Sequence, residues 1–310
     1  MGRKLKHLFE FIGVLLLLQV VRILPRRWLL ALGRALGRFT FSVLRIRREV
    51  TLDNLDQAFP EKTSGEIIEL GKKCYEHFGM MMLEYLRMQS MTRDDVFALI
   101  DDANGTAAAA LNRANKEKTG AIVLIAHFGN WEYLAAWLAA KGYPVNFINQ
   151  PQNNPYSDRL IQQTRARMGM QMIERGSMGL RLVLRALRER RMVLIAPDQD
   201  AGRDGIFVPF FGRPASVARG TAAFMLKTGV PIILCMLRRR PDGDYSLTTE
   251  KLEFDFAPTW DDDQKIKEIT ARYTKAIEQH IRRSPEQWFW LHRRWKNQPQ
   301  TAEAHADFHA

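Results

Sequence analysis

The sequence predicts an α/β fold, in which a mixed, mainly parallel sheet is flanked by helices and follows an N-terminal helical segment that associates with a membrane. Two observations support this prediction. From about residue 119 onward, short apolar runs alternate with stretches of helical length, and these runs are too apolar to face water. The first fifty residues combine an apolar run with a high density of arginine.

The predicted elements alternate regularly along the body of the chain. Strands are predicted at 121–126, 144–150, 170–174, 192–197 and 230–239. Helices are predicted at 131–142, 155–168, 177–191 and about 217–227. Residues 50–118 read mainly as helices, the longest of them at 64–88. This order predicts parallel strands joined by helical crossovers.

The positive charge of the chain is concentrated at its beginning. The 310 residues carry 46 Lys and Arg against 34 Asp and Glu, a formal net charge of +12. Residues 1–50 hold eleven basic and two acidic residues, so +9 of that charge lies there and only +3 in the remainder. Because the globular body lacks a strong basic excess, we expect an anionic membrane and no nucleic acid as partner. Two cysteines, Cys74 and Cys235, make no disulfide framework, which indicates a reducing environment.

The N-terminal segment has two parts. Residues 8–24 are strongly apolar but are interrupted by charged and polar side chains, and they are short for a bilayer span, which needs about 20 residues. After Pro25, four arginines recur at steps of 7, 4 and 7, as a stripe along one helix face: Arg27, Arg34, Arg38 and Arg45. This pattern predicts a basic amphipathic helix in the headgroup layer of an anionic membrane. A solvated charged face on a packed helix is the alternative.

A histidine stands where the first predicted strand of the sheet gives way to a helix. Binding sites of open α/β sheets lie beyond the carboxyl ends of strands, and His127 occupies such an end. If Asn130 caps the following helix, Glu132 falls in its first turn, where the helix dipole favours a carboxylate. Gly129 and Asn130 supply the turn that would let Glu132 accept the Nδ1–H of His127, leaving Nε2 as a base.

Two other interpretations of His127 are simpler. The imidazole could cap a helix or satisfy a buried polar group. Metal binding is disfavoured because neither HExxH nor a second nearby His or Cys ligand is present, so we predict no metal and no cofactor.

Several blocks in order give the chain a family resemblance. They are NLDQAFP at 54–60, HFGNWE at 127–132, RAR at 165–167 with Gly169, APDQDAG at 196–202, FVPFFG at 207–212 and PEQWFWLHRRWK at 285–296. Together they resemble the bacterial lipid A biosynthesis acyltransferases of the lauroyl and myristoyl type. The resemblance implies a glycerolipid-acyltransferase-like core, residues 49–297, anchored at the cytoplasmic face of the bacterial inner membrane by residues 1–48. Residues 298–310 are expected to form a disordered tail.

The resemblance also implies a reaction and its residues. A fatty acyl group would pass from acyl carrier protein, or from coenzyme A, to a hydroxyl of a lipid A precursor. His127 and Glu132 would be catalytic, and Arg165 and Asp198 essential. Backbone N–H groups around Gly129, or the Arg165 guanidinium, could stabilise the oxyanion.

Other roles and functions stay open from the sequence. Arg165 could instead hold a phosphate, and Asp198 could position Arg165 or the acceptor, or cap its own turn. The FVPFFG block could wall an acyl groove or pack in the core, and the tryptophans of 288–295 could lie at the membrane or close the core. The rival functions are acyl transfer to another phospholipid or glycolipid, and membrane binding without catalysis.

Overall fold

The computed structural model describes residues 2–102, 105–149, 153–174 and 176–299. Most of the predicted tail, 300–310, lies outside the described residues. The described α-helices are α1 (Gly2–Ile23), α2 (Arg26–Phe39), α3 (Arg48–Ala58), α4 (Ser64–Arg87), α5 (Arg93–Leu99), α6 (Ala109–Lys116), α7 (Trp131–Ala140), α8 (Pro155–Arg167), α9 (Ser177–Arg188), α10 (Gly220–Thr228) and α11 (Asp262–Arg283). A π-helical turn, Thr40–Leu44, follows α2, and short 3₁₀ turns lie at Met88–Ser90 and Pro285–Gln287.

The strands form one large sheet and one hairpin. They are β1 (Ile100–Asp101), β2 (Ala121–Leu124), β3 (Val145–Asn149), β4 (Gln171–Glu174), β5 (Met192–Ile195), β6 (Ile206–Phe210), β7 (Arg213–Val217), β8 (Ile232–Arg239) and β9 (Tyr245–Leu252). The sheet has the order β1-β9-β8-β2-β5-β3-β4, and β6 pairs with β7 in the hairpin. In the sheet, only β8 and β9 pair antiparallel. The prediction of a mixed, mainly parallel sheet is confirmed.

Strand β2 lies inside the sheet and is buried on both faces. Its side chains alternate between two apolar clusters, as the period of two along a strand requires. Ile122 and Leu124 belong to the cluster that contains α11 residues, whereas Val123 packs in the cluster of Trp137 on α7. Because both faces of β2 are covered, its sequence is a continuous apolar run. The end of this buried strand determines where His127 stands relative to the sheet.

Helices α1 and α2 pack against α4. Backbones of α2 and α4 approach closely because glycines meet there: a Cβ added to Gly37 would lie 2.1 Å from the Tyr75 carbonyl oxygen. Arg38, predicted to face a membrane, pairs with Glu76 of α4 at 2.5 Å. The predicted basic helix also ends early, since Arg45 has a φ of 53° and lies beyond the π-helical turn.

The N-terminal segment exposes several large apolar side chains among its charged ones. Phe9, Leu16 and Ile23 of this segment expose 66, 65 and 83% of their surface, whereas Val21 is fully buried. No helix in the described part of the chain has the length and apolarity needed to cross a membrane.

Candidate active site

His127 and Asp198 come together because their strands are neighbours. Strands β2 and β5 are parallel, with Leu124 opposite Ile195, and each functional residue follows its strand by three positions. The Nδ1 atom of His127 lies 2.8 Å from one carboxylate oxygen of Asp198. The other oxygen accepts the backbone N–H of His127 at 2.7 Å and the indole N–H of Trp288 at 2.8 Å.

These contacts fix the charge and tautomer of the pair. Burial opposes the ionised carboxylate of Asp198, but His127 and the N–H donors outweigh burial and lower its pKa below the ordinary value. Burial likewise opposes the imidazolium of His127, but the adjacent Asp198 outweighs it and raises the pKa of His127. Because an ionised carboxylate only accepts hydrogen bonds, Nδ1 carries the proton of neutral His127 and Nε2 keeps its lone pair.

The predicted contact between Glu132 and Nδ1 of His127 is wrong. Glu132 instead binds the Arg165 guanidinium, with oxygen-to-nitrogen distances of 2.6 and 3.3 Å. The reason is geometric: Asp198 leaves the neighbouring strand at the height of the imidazole, whereas Glu132 sits in the first turn of α7 and faces the last turn of α8. Glu132 still contributes a negative charge that raises the pKa of His127.

The bend between His127 and α7 is held by polar contacts on each side. Asn130 caps α7 as predicted, because its side-chain oxygen accepts the Tyr133 N–H at 3.0 Å. Gly129 has a φ of 58°, and a Cβ there would lie 1.7 Å from the Leu237 carbonyl oxygen. This position therefore requires glycine.

The predicted substrate-binding roles of Gly129 and Asn130 need correction. The Gly129 N–H donates to the Gln287 carbonyl at 2.9 Å, so it is not available to an oxyanion. The side-chain amide of Asn130 donates to Glu84 at 3.1 Å, and Asn130 is fully buried. Both residues shape the bend instead of facing a substrate.

A cavity of about 680 Å³ adjoins His127. Its volume lies within the range of 300–1,000 Å³ that is usual for ligand pockets. His127, Glu132 and Arg165 line it together with a largely apolar wall. The apolar lining comes mainly from α7, α9, α10, strands β3 to β5 and the residues next to them, and includes Phe147, Met170, Met172, Val183, Leu194 and Phe224. Such a cavity can hold an apolar chain beside a base.

The C-terminal block contributes to the site and the core. Trp288 is 3% exposed and donates to Asp198, so the membrane interpretation of this residue is wrong. Trp290 is fully buried and lies against Phe59 and Phe211 of the core. The FVPFFG block forms part of the β6–β7 hairpin and packs in the core, and none of its residues lines the cavity.

One neighbour of the bend was not predicted from the sequence. His77 of α4 is buried, and its Nε2 lies 3.0 Å from the Gly129 carbonyl oxygen. Nothing in the sequence marks this histidine, because its helix lies about fifty residues from the bend. Among the described residues, no group of three or more His, Cys, Asp or Glu is placed to hold a metal ion.

A family model described as bacterial lipid A biosynthesis acyltransferase matches residues 2–297. The chain belongs to this family. The enzyme is therefore an acyltransferase of the lipid A biosynthesis type. It is 29% identical to a lipid A biosynthesis lauroyltransferase of Escherichia coli (strain K12) over 95% of this chain and 94% of the relative.

Two further relatives span nearly the whole enzyme. A lipid A biosynthesis palmitoleoyltransferase of the same strain is 30% identical over 89% of this chain and 87% of its own. A lipid A biosynthesis acyltransferase of Haemophilus influenzae is 27% identical over 89% of this chain and 92% of its own. The family model begins at residue 2, so the similarity includes the N-terminal segment as well as the sheet.

Proposed function

We propose that the enzyme transfers a fatty acyl chain from an acyl thioester to a hydroxyl of a lipid A precursor, with His127 as general base oriented by Asp198. The observation that carries this proposal is the 2.8 Å contact between Nδ1 of His127 and a buried carboxylate, beside an apolar cavity. A base held in one tautomer, next to space for an acyl chain, suits attack by a substrate hydroxyl.

The chemistry follows from the free lone pair on Nε2. Nε2 takes the proton of the acceptor hydroxyl while the hydroxyl oxygen bonds to the thioester carbonyl carbon. The tetrahedral intermediate then collapses, the carbon–sulfur bond breaks, and the imidazolium returns the proton to the thiolate. The products are an ester and a free thiol. General base catalysis of this kind supplies about 10² to 10⁴-fold.

Arg165 is the cation best placed for the developing negative charge. Its side chain lines the cavity with His127, and Glu132 holds the guanidinium in place. With the Gly129 N–H engaged elsewhere, Arg165 supports either the oxyanion or a phosphate of the acceptor. Glu132 would then act on the reaction mainly by orienting Arg165.

The family and the exposed surface support a proposal for the acyl donor and for the location of the enzyme. Acyl carrier protein is the proposed donor and acyl-coenzyme A the second. The exposed apolar residues of α1 and α2 support contact of residues 1–48 with the cytoplasmic face of the bacterial inner membrane, with 49–297 as the acyltransferase domain.

Purified enzyme in detergent micelles provides the test. Acyl carrier protein and coenzyme A thioesters would each be offered with a lipid A precursor or with a phospholipid, and ester product would be measured by mass spectrometry. We expect transfer to the lipid A precursor, and a loss of at least about 10²-fold in His127→Ala with unchanged folding. His280→Ala is the control, because His280 lies on α11 outside the cavity. Retained turnover in His127→Ala contradicts the proposal, and transfer only to phospholipid supports the rival acceptor.

A further inference from the structure

A buried carboxylate lies behind the bend between His127 and α7, which we call the catalytic bend. Glu84 of α4 is 0% exposed, and every group that contacts its carboxylate is a hydrogen-bond donor. The donors are the Arg239 guanidinium, the Tyr245 hydroxyl, the Asn130 side-chain amide and the Arg26 guanidinium. Arg239 lowers the pKa of Glu84 against the opposing effect of burial, so the carboxylate stays ionised.

Hydrogen bonds connect Glu84 to two successive residues of the bend, Gly129 and Asn130. Asn130 donates to Glu84 directly at 3.1 Å. Arg239 binds Glu84 with its side chain, and its backbone exchanges hydrogen bonds of 2.8 and 2.9 Å with the Gln287 side chain. The Gln287 carbonyl in turn accepts the Gly129 N–H at 2.9 Å. Hydrogen bonds thus connect Glu84 to the backbone that separates His127 from the helix carrying Glu132.

The N-terminal segment reaches the same carboxylate. Arg26, the first residue of α2, lies 3.3 Å from Glu84 and 2.7 Å from Asp244, and it also donates to the Gly243 carbonyl. Its side chain is only 25% exposed, whereas the neighbouring Arg27 is exposed to solvent. One arginine of α2 therefore enters the protein, and the next does not.

We propose that Glu84 is a positioning residue for the catalytic bend and that Arg26 makes helix α2 part of that support. In this view the N-terminal segment does more than attach the enzyme to a membrane, because it helps to keep the side chains of His127 and Arg165 in their relative positions. The inference rests on the proposed function for its kinetic readout. Its physical basis is that a displacement of about 1 Å in a catalytic group can cost about 10²-fold in rate.

Two matched arginine variants test the link to α2. Arg26→Met and Arg27→Met remove the same formal charge from adjacent positions of α2, but only Arg26→Met removes the contact with Glu84. At a temperature where both are folded, we expect kcat of Arg26→Met to fall about tenfold, with the KM of each substrate within twofold of wild type. Arg27→Met should keep the wild-type kcat. Arg26→Lys restores the charge and should recover part of the rate.

Equal kcat in Arg26→Met and Arg27→Met overturns the link, as does a loss in Arg26→Met confined to KM. A purely structural role would lower the melting temperature of Arg26→Met without changing kcat below it. That outcome also counts against the proposal.

Glu84→Gln tests the carboxylate itself with a readout other than turnover. The new amide nitrogen would face Arg239, Tyr245 or Asn130, so two donors would oppose each other. In protein labelled with ¹⁵N-histidine, the His127 signals can be assigned among the seven histidines with a His127→Gln variant. We expect Glu84→Gln and Arg26→Met to shift the His127 signals and Arg27→Met to leave them in place.

Unshifted His127 signals in a folded Glu84→Gln protein contradict the positioning role. If Glu84→Gln does not fold, the arginine variants decide alone. The two proposals also fail separately. An inactive wild type refutes the proposed function, whereas the His127 signals still report whether the bend depends on Glu84 and Arg26.

Discussion

His127 and Asp198 occupy equivalent positions on adjacent parallel strands, each three residues beyond the registered pair of Leu124 and Ile195. The sheet itself therefore sets the distance between imidazole and carboxylate. Strands β2 and β5, which these residues follow, are buried on both faces. The distance between the two side chains therefore has little freedom to change.

Asp198→Asn should change the pH dependence of the reaction. The base works when His127 is neutral, and Asp198 raises the pKa of His127, so the acidic limb of wild-type kcat/KM should lie above pH 6.5. The variant removes that influence and leaves burial, which lowers the pKa, so the limb should move to lower pH. The Asn oxygen should stay with the backbone N–H of His127 and the indole N–H of Trp288, so its NH₂ group would face Nδ1 and favour the tautomer protonated on Nε2. We therefore expect kcat to fall by about 10²-fold or more. Asp204→Asn, an exposed carboxylate in the same segment, is the control. An unmoved limb in Asp198→Asn would refute the assignment.

Glu132 and Arg165 should behave as one unit. We expect Glu132→Gln and Arg165→Met each to lower kcat by about 10²-fold, and the double variant to be little worse than the poorer single variant. The exposed pair of Arg185 and Glu189, at 2.7 Å, is the control and should show additive, near-neutral effects. Steady-state kinetics of the wild type, the two single variants and the double variant measures this coupling. Additive losses for Glu132 and Arg165 would contradict it.

Gly129→Ala should damage both fold and activity. An alanine there meets the left-handed backbone and a carbonyl oxygen only 1.7 Å from its Cβ, so the bend must shift. Gly142 has a φ of 80° with open space around it, so Gly142→Ala should cost only about 1–2 kcal/mol. Chemical unfolding compares the two variants. Equal destabilisation would mean that the contact with Leu237 is easily relieved.

His77 should make the enzyme less stable in mild acid. Burial lowers the pKa of His77 from 6.5 to about 3. Since the native pKa is the lower one, the unfolded chain binds a proton first as pH falls, and stability is lost from about pH 6.5 downward. Between pH 7.5 and pH 5 this amounts to about 2 kcal/mol.

Urea unfolding at the two pH values checks the effect. His77→Gln keeps an N–H donor for the Gly129 carbonyl without titrating, so its stability should change less over this interval. His7→Gln on α1 is the control. The same loss in His77→Gln as in wild type would rule out His77 as its source.

The sequence predicted the elements whose burial leaves a clear pattern. β2, β5 and β8 are continuous apolar runs because both faces are covered, and they were found within a few residues of their ends. Strand β9 was missed because it has neither a continuous apolar run nor a sustained alternation: the polar residues 248–251 separate Leu247 from Leu252. The β6–β7 hairpin was missed because its strands contain Pro209 and Pro214.

The sequence predicted which strand end carries the candidate site, but not which side chains contact one another there. His127 was predicted because binding sites lie beyond the carboxyl ends of strands. Glu132 was predicted as its partner because it lies close to His127 along the chain. The signal for Asp198 was present in the matching segments Ile125-Ala126-His127 and Ala196-Pro197-Asp198, which follow two buried strands at the same offset. Seeing it required knowing that β2 and β5 are neighbours, a long-range pairing that no local pattern reports. The same holds for Glu84, whose role depends on residues up to 161 positions away.

Because the sheet brings His127 and Asp198 together on folding, the proposed base is complete before any acceptor arrives. Water that reaches Nε2 of His127 while a loaded thioester is in place would be activated just as a substrate alcohol is, and the fatty acid would be wasted. Under the proposed mechanism, the site limits hydrolysis by excluding water: the apolar lining of the cavity and the Trp131 ring, whose centroid lies 5.2 Å from that of the imidazole, would keep water away from Nε2.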